Sequence, residues 1–158
     1  MSTLSKPYKT IDEAALGGFK KIVTKYPEYK DYEYGFIIVS FDRPIVRQIG
    51  HEGFMDTEAE YRYTEPFTDR LRREINWKIP PHFAARVRAL CHTHPVPGTF
   101  STRDFKGFQE MRELKRKGDL KYDIIYYLLQ SDGRVRRSSG EHNFWEGDII
   151  EGLSKATP

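Results

Sequence analysis

The chain has 158 residues, enough for one domain around one core. Charged residues make up 31% of it yet leave a net charge of only +3, too weak a bias to imply a nucleic-acid partner. Cys91 is the only cysteine, which excludes an internal disulfide, and the apolar runs at 35–39 and 124–129 are far too short to span a bilayer.

The opening MSTLSKPYKT has no apolar signal region, so the expectation is a soluble, cytoplasmic protein with no membrane partner; delivery by a secretion system would leave no mark here. Residues 1–9 read as a flexible tail and 10–158 as one domain. Thr10-Ile11-Asp12-Glu13 reads as a capping box, followed at helical spacing by Ala14, Ala15, Phe19, Ile22, Val23 and Tyr26. Pro27 ends that helix. Tyr32–Phe41 is β-branched and aromatic and reads as a strand, Asp42-Arg43-Pro44 as a turn, and Ile45–Ile49 as the returning strand. Gly50–Tyr63 is polar and poorly periodic, a loop with one short strand. Phe67, Leu71 and Ile75 share a helical face, which predicts a short helix over Thr68–Trp77, broken by Pro80-Pro81.

Phe83–His92 fits a strand or the end of a helix. Ser101–Lys117 is a clear helix, with Phe105, Phe108 and Met111 on its apolar face, basic residues at its C-terminal end and Gly118 after it. Tyr122–Gln130 reads as a strand, Ser131-Asp132-Gly133 as a hairpin turn and Arg134–Arg137 as the return. In the last twenty residues Phe144, Trp145, Ile149, Ile150 and Leu153 are expected to pack back. With 20 Phe and Tyr residues the core is expected to be aromatic-rich, in a single α/β domain.

The stretch CHTHPVPGTFSTRD, residues 91–104, carries the chemistry. Ser101 and Asp104 alone make a helix-capping pattern, and His92 and His94 alone could be polar residues at a strand end. A metal site accounts for all four together. In an extended segment, residues 92 and 94 point to the same side with Cα atoms ~6.6 Å apart, within reach of one ion. The Pro95–Gly98 turn can bring Asp104 back over it. Two nitrogens and one oxygen leave a fourth tetrahedral position open, as in catalytic zinc sites, where zinc brings the pKa of water to ~7. Glu33, just before the apolar run 35–39, is the candidate base that takes and returns the proton, with Gly35 allowing close backbone approach. Glu28, Glu52, Glu58 and Glu65 are rivals in poorer context. Cys91, a strand neighbour of His92, should face the opposite side and pack in the core. His51, His82 and His142 have no motif around them.

Glu33, His92-Thr93-His94-Pro95 and Ser101-x-x-Asp104 together resemble the JAMM (JAB1/MPN/Mov34) metalloprotease pattern. The closer resemblance is to a small bacterial branch associated with RHS-type polymorphic toxins. It rests on Thr10–Ala15, Glu33-Tyr34-Gly35-Phe36-Ile37, the 92–101 loop and the Tyr127–Arg134 hairpin, and covers about residues 10–137. Five residues separate Pro95 from Ser101, one fewer than in the deubiquitinases of the family. The resemblance implies an α/β (α+β) JAMM/MPN-like domain, with a cytidine-deaminase-like mixed sheet flanked by helices. It implies zinc held by His92, His94 and Asp104, Glu33 as general acid/base and Ser101 as a donor to the oxyanion. It implies a protein or peptide substrate, a ubiquitin-like conjugate among the options, and an immunity or partner protein in a toxin setting.

Three functions compete. The first is a zinc peptidase or isopeptidase. The second is a non-catalytic module of the same fold, which the presence of all five site positions argues against. The third is a nucleic-acid-binding face built on Arg70, Arg72, Arg73, Arg86 and Arg88 with aromatic stacking, for which no motif speaks.

Overall fold

The computed structural model describes residues 4–49, 52–69, 71, 75, 77–140 and 144–152, with side chains outside 44–49, 52–57 and 151–152. Two helices and seven strands are present among them: α1 (Ile11–Lys25), β1 (Tyr34–Ile49), β2 (Glu52–Tyr63), β3 (Phe67–Thr68), β4 (Val87–Thr93), α2 (Thr102–Lys117), β5 (Ile125–Leu129), β6 (Arg134–Ser138) and β7 (Asp148–Gly152). The strands form one mixed sheet in the order β2-β1-β4-β5-β6-β7, with β3 paired to the start of β1. Only β4 and β5 run parallel, because α2 is the crossover between them; the other neighbours are antiparallel. The expected α/β (α+β) class is what the chain adopts. No helix among the described residues is long and apolar enough to cross a membrane.

The sheet has an apolar layer on each face. On one side α1 lays Ala14, Ala15, Phe19, Ile22 and Val23 against Phe36, Ile38, Cys91, Tyr127 and Leu129. Phe19 meets Phe36 edge to face at 5.1 Å, and each such fully buried side chain stabilises the fold by about 1.5–3 kcal/mol. On the other side Phe108 and Met111 of α2 cover Leu90, Tyr126 and Leu128. Strand alternation therefore sends Cys91 to the α1 side and His92 to the α2 side, as read from the sequence. Burial pushes the Cys91 thiol well up, so it stays protonated and inert.

Both helices start where the sequence says. Thr10 Oγ1 accepts the Glu13 N–H at 3.0 Å, and Ser101 Oγ accepts the Asp104 N–H at 3.1 Å. Pro27, which has no N–H to continue α1, opens a 3-10 turn over Pro27–Lys30. Gly118 ends α2 at φ +88°, a conformation that a Cβ would disfavour.

Several expectations are corrected. The supposed tail pairs with β2 instead: Tyr8 and Tyr61 exchange two backbone hydrogen bonds, and Leu4 bridges Thr64. Asp42-Arg43-Pro44 is not a turn, and Glu52–Tyr63 is a strand rather than a loop; Gly50 and His51 lie outside the described residues. β1 runs on to Ile49 and pairs with β2 from Ile38↔Tyr63 to Ile49↔Glu52. Beyond Ser40, which still donates its N–H to the Arg86 carbonyl, β1 pairs with β2 alone among the described residues, so Pro44 sits on an edge where its missing N–H costs no ladder bond. Arg43 pairs with Glu58 across this ribbon at 3.1 Å. No helix forms at the described positions between Thr68 and Trp77; Phe67 and Thr68 are β3, which pairs with Tyr34 and Gly35. Tyr122 precedes β5 rather than starting it. Phe144 is fully buried, but Trp145 and Ile149 are 43% and 53% exposed, so the last segment packs back only in part. Arg70, Arg72, Arg73, His51, His142 and Leu153 lie outside the described residues.

Candidate metal centre

The site forms where three elements end on the α2 side of the sheet. β4 supplies His92, and the residue just beyond it, His94, still donates its backbone N–H to Leu129 in continuation of the parallel pairing. α2 supplies Asp104 from its first turn. Glu33 stands immediately before β1, whose Gly35 lies opposite His92. The alternation read from His92-Thr93-His94 thus holds: both rings face one point, while Thr93 turns away and accepts the Tyr34 N–H at 2.9 Å.

The capping box aims the Asp104 carboxylate. Its Oδ2 accepts the Ser101 N–H at 2.8 Å and lies 3.2 Å from His94 Nε2, while Oδ1 lies 3.1 Å from His92 Nε2. The two Nε2 atoms are 3.0 Å apart. Two imidazole lone pairs at that distance repel unless a proton or a metal ion stands between them. Donors bound tetrahedrally at about 2.0–2.1 Å are about 3.3 Å from one another. The 3.0 Å between the two Nε2 atoms is close to that edge, and one donor atom from each of the three residues falls within 4.8 Å of the others. His92 is 1% exposed and His94 8%, so the three residues form a buried group able to hold a metal ion.

The electrostatics of the three residues point the same way. Burial alone would push the Asp104 carboxyl up, but the His92 and His94 imidazoles outweigh it and hold it well below the usual carboxylate range. Burial alone would lower His92; the charge and hydrogen bond of Asp104, with Glu33 behind them, raise it instead. A carboxylate kept ionised next to two imidazoles is a donor set that a divalent cation can enter by displacing a proton.

Glu33 is beside the donor triad and outside it. Its Oε1 accepts the Ile75 N–H at 3.1 Å, which leaves Oε2 turned toward His94 Nε2 at 3.9 Å. The rival carboxylates are engaged elsewhere: Glu28 with the Tyr34 hydroxyl, Glu58 with Arg43, Glu65 with Lys21 and Tyr26; the Glu52 side chain lies outside the described residues. Ser101 is exposed, and its hydroxyl is occupied by the cap. The hydroxyl-bearing residues that line the adjoining cleft are Thr102 and Tyr126.

That cleft, of about 500 Å³, is bounded by α2 on one side and by Ile75 and Trp77 on the other. Sequence reasoning missed this second wall. Trp77 stands edge-on to His92, with ring centroids 6.4 Å apart, and edge-on to Phe67 at 5.8 Å. It rests on Gly35, where a Cβ would come within 2.9 Å of the indole and 3.2 Å of the Cys91 carbonyl oxygen. The signal that could have found it was Gly35 itself, a glycine inside a core strand.

Comparison with protein-family models, curated proteins and solved structures returns no match to this chain.

Proposed function

We propose that the chain is a zinc-dependent, JAMM-type peptidase or isopeptidase that hydrolyses an amide bond in a protein or peptide. The observation that carries this reading is the convergence of His92, His94 and Asp104 within 4.8 Å, with Glu33 held just outside the group. Two imidazoles and one carboxylate in a small buried triangle suit zinc better than magnesium or calcium, which prefer larger sets of oxygens. Zinc there would supply a Lewis acid and bring the pKa of water to about 7.

The residues of the chain divide the remaining work. Glu33, fixed by the Ile75 N–H through one oxygen, offers the other to take a proton and deliver it to the leaving amine. Ser101 can release the Asp104 N–H and turn its hydroxyl toward the substrate oxygen as charge develops there. Trp77 and α2 hold the substrate between them and exclude solvent. A ubiquitin-like conjugate or a target in a toxin setting fits this chemistry. The nucleic-acid reading is weakened, because Arg86 lies 4.5 Å over Phe41, and Arg88 lies 5.6 Å over Tyr61 and 4.1 Å over Tyr122, all within the chain.

The test is metal content together with hydrolysis of a quenched-fluorescent peptide library and a ubiquitin isopeptide dimer. Wild-type protein should carry about one zinc per chain. Glu33→Gln should keep the zinc and lose ~10²-fold or more of the hydrolysis. Wild-type protein that takes up no zinc near neutral pH would overturn the site; zinc lost in Glu33→Gln would make Glu33 a ligand instead.

A further inference from the structure

The cleft continues past the three donors along α2. Its α2 wall is formed by Arg103, Lys106 and Glu110, spaced so that they share one face of the helix. Lys106 and Glu110 differ from the charged residues farther down the helix. Glu113 pairs with Arg116, and Lys115 with Asp123, whereas neither Lys106 nor Glu110 forms an ion pair among the described residues. Helix physics does not explain their order either. A lysine four residues before a glutamate is the less favourable arrangement, and a cation near the N-terminal end opposes the helix dipole. Both side chains are exposed, and both border the cleft.

Four residues of helix rise about 6 Å, and alternate residues of an extended chain stand about 6.6 Å apart on the same side. A strand-like segment lying along α2 therefore presents two side chains in register with Lys106 and Glu110. From Asp104 the two positions are about 3 Å and about 9 Å along the axis, or about one and three residues of extended chain from the metal centre. We propose that the cleft selects an extended polypeptide segment bearing an acidic side chain opposite Lys106 and, two residues further from the metal centre, a basic side chain opposite Glu110. This rests on the reading of the substrate as a polypeptide. Each contact is solvent-exposed, so the two together are worth about fivefold in affinity, and salt weakens them.

Two capped heptapeptides of identical composition test it: Gly-Gly-Asp-Gly-Lys-Gly-Gly and Gly-Gly-Lys-Gly-Asp-Gly-Gly. Their binding to zinc-loaded Glu33→Gln protein, which should turn peptides over ~10²-fold or more slower than wild type, is followed by NMR titration. The cleft is asymmetric and accepts a backbone in one direction, so the order that sets Asp opposite Lys106 and Lys opposite Glu110 in that direction should bind about fivefold more tightly at low salt. Adding Lys106→Glu and Glu110→Lys should invert whichever preference is found and leave folding and zinc content unchanged. Equal binding of the two peptides, a preference that survives the charge swap, or no binding of either overturns the inference. Zinc content and hydrolysis by wild-type protein are read on parallel preparations. Their loss removes the hydrolase reading, whereas their retention with indifferent peptide binding removes this inference alone.

Discussion

The two faces of the sheet differ in how they treat polar groups. On the α1 side such groups are matched: the Tyr127 hydroxyl donates to Asp12, Arg137 donates to the same carboxylate at 2.7 Å, and Thr93 accepts the Tyr34 N–H. On the α2 side they are left open. Of the four buried side-chain atoms without a hydrogen-bond partner among the described residues, His92 Nδ1, Tyr126 Oη and Ser138 Oγ lie on that side; the fourth, Arg88 Nε, belongs to a guanidinium over Tyr61, which packs with the α1-side cluster, and is the exception there. An unpaired buried polar atom costs about 1–3 kcal/mol, so a face that tolerates several is shaped by something other than stability. The comparison teaches that α1 seals the fold while the α2 side holds the group able to bind a metal ion.

The largest effect should come from the donor triad. Zinc present at a thousandfold over its dissociation constant would stabilise the folded chain by about 4 kcal/mol. Chelation should therefore lower the melting temperature markedly, and Asp104→Ala should show a low melting temperature that chelator no longer changes. If wild-type protein melts identically with and without chelator, the α2 side holds no metal and the contrast between the faces loses its cause.

Next comes the α1 side, where the polar network should behave as ordinary structure. Tyr127→Phe removes a buried hydroxyl bonded to a charged partner and should cost about 1.5–2 kcal/mol, a fall of roughly 3–8 °C in melting temperature. Zinc content and hydrolysis should be unaffected. Loss of zinc in this variant would show that the two faces are coupled.

Ser101→Ala separates a cap from a participant in chemistry. The backbone N–H of residue 101, which holds Asp104 Oδ2, survives the change, so zinc should be retained. Loss of the cap should cost about 1 kcal/mol. As an oxyanion donor, Ser101 should also be worth ~10²-fold in kcat. Reduced stability with unchanged kcat would make this serine a cap alone.

The triad was legible because its signals are local. His92 and His94 share a side through the two-residue period of a strand, and Ser101 with Asp104 announces a helix start within four residues. The second cleft wall was not legible. The bond from the Ile75 N–H to Glu33 joins residues 42 apart, and the helical spacing of Phe67, Leu71 and Ile75 pointed to an element that the described residues do not form. The β1–β2 ribbon was hidden for a different reason. Its outer half has no third strand beside it among the described residues, and polar residues such as Asp42, Arg43 and Glu58 interrupt the apolar alternation that marks a half-buried strand. The pairing of Leu4 and Tyr8 with β2 is likewise a long-range contact that no local pattern announces.

The smallest effect sharpens the comparison most, because it sets neighbouring tyrosines on opposite faces against each other. Tyr126 is 1% exposed, and its hydroxyl lies under α2 at Gly107, where a Cβ would come within 3.1 Å of it. Burial, with the Asp104 and Glu110 charges behind it, pushes the phenol far up, so the group is a neutral hydroxyl with no hydrogen-bond partner among the described residues. Tyr126→Phe removes only that hydroxyl and keeps the ring among Phe108 and Phe144. Because no hydrogen bond is lost and a desolvated polar atom disappears, the substitution should leave stability unchanged or raise it by about 1 kcal/mol, roughly 2–4 °C. Tyr127→Phe, one residue along β5, should move it the other way. Calorimetry of the two variants beside wild type decides the matter. If both destabilise equally, the Tyr126 hydroxyl has a partner in solution, and the α2 side is as well matched as the α1 side.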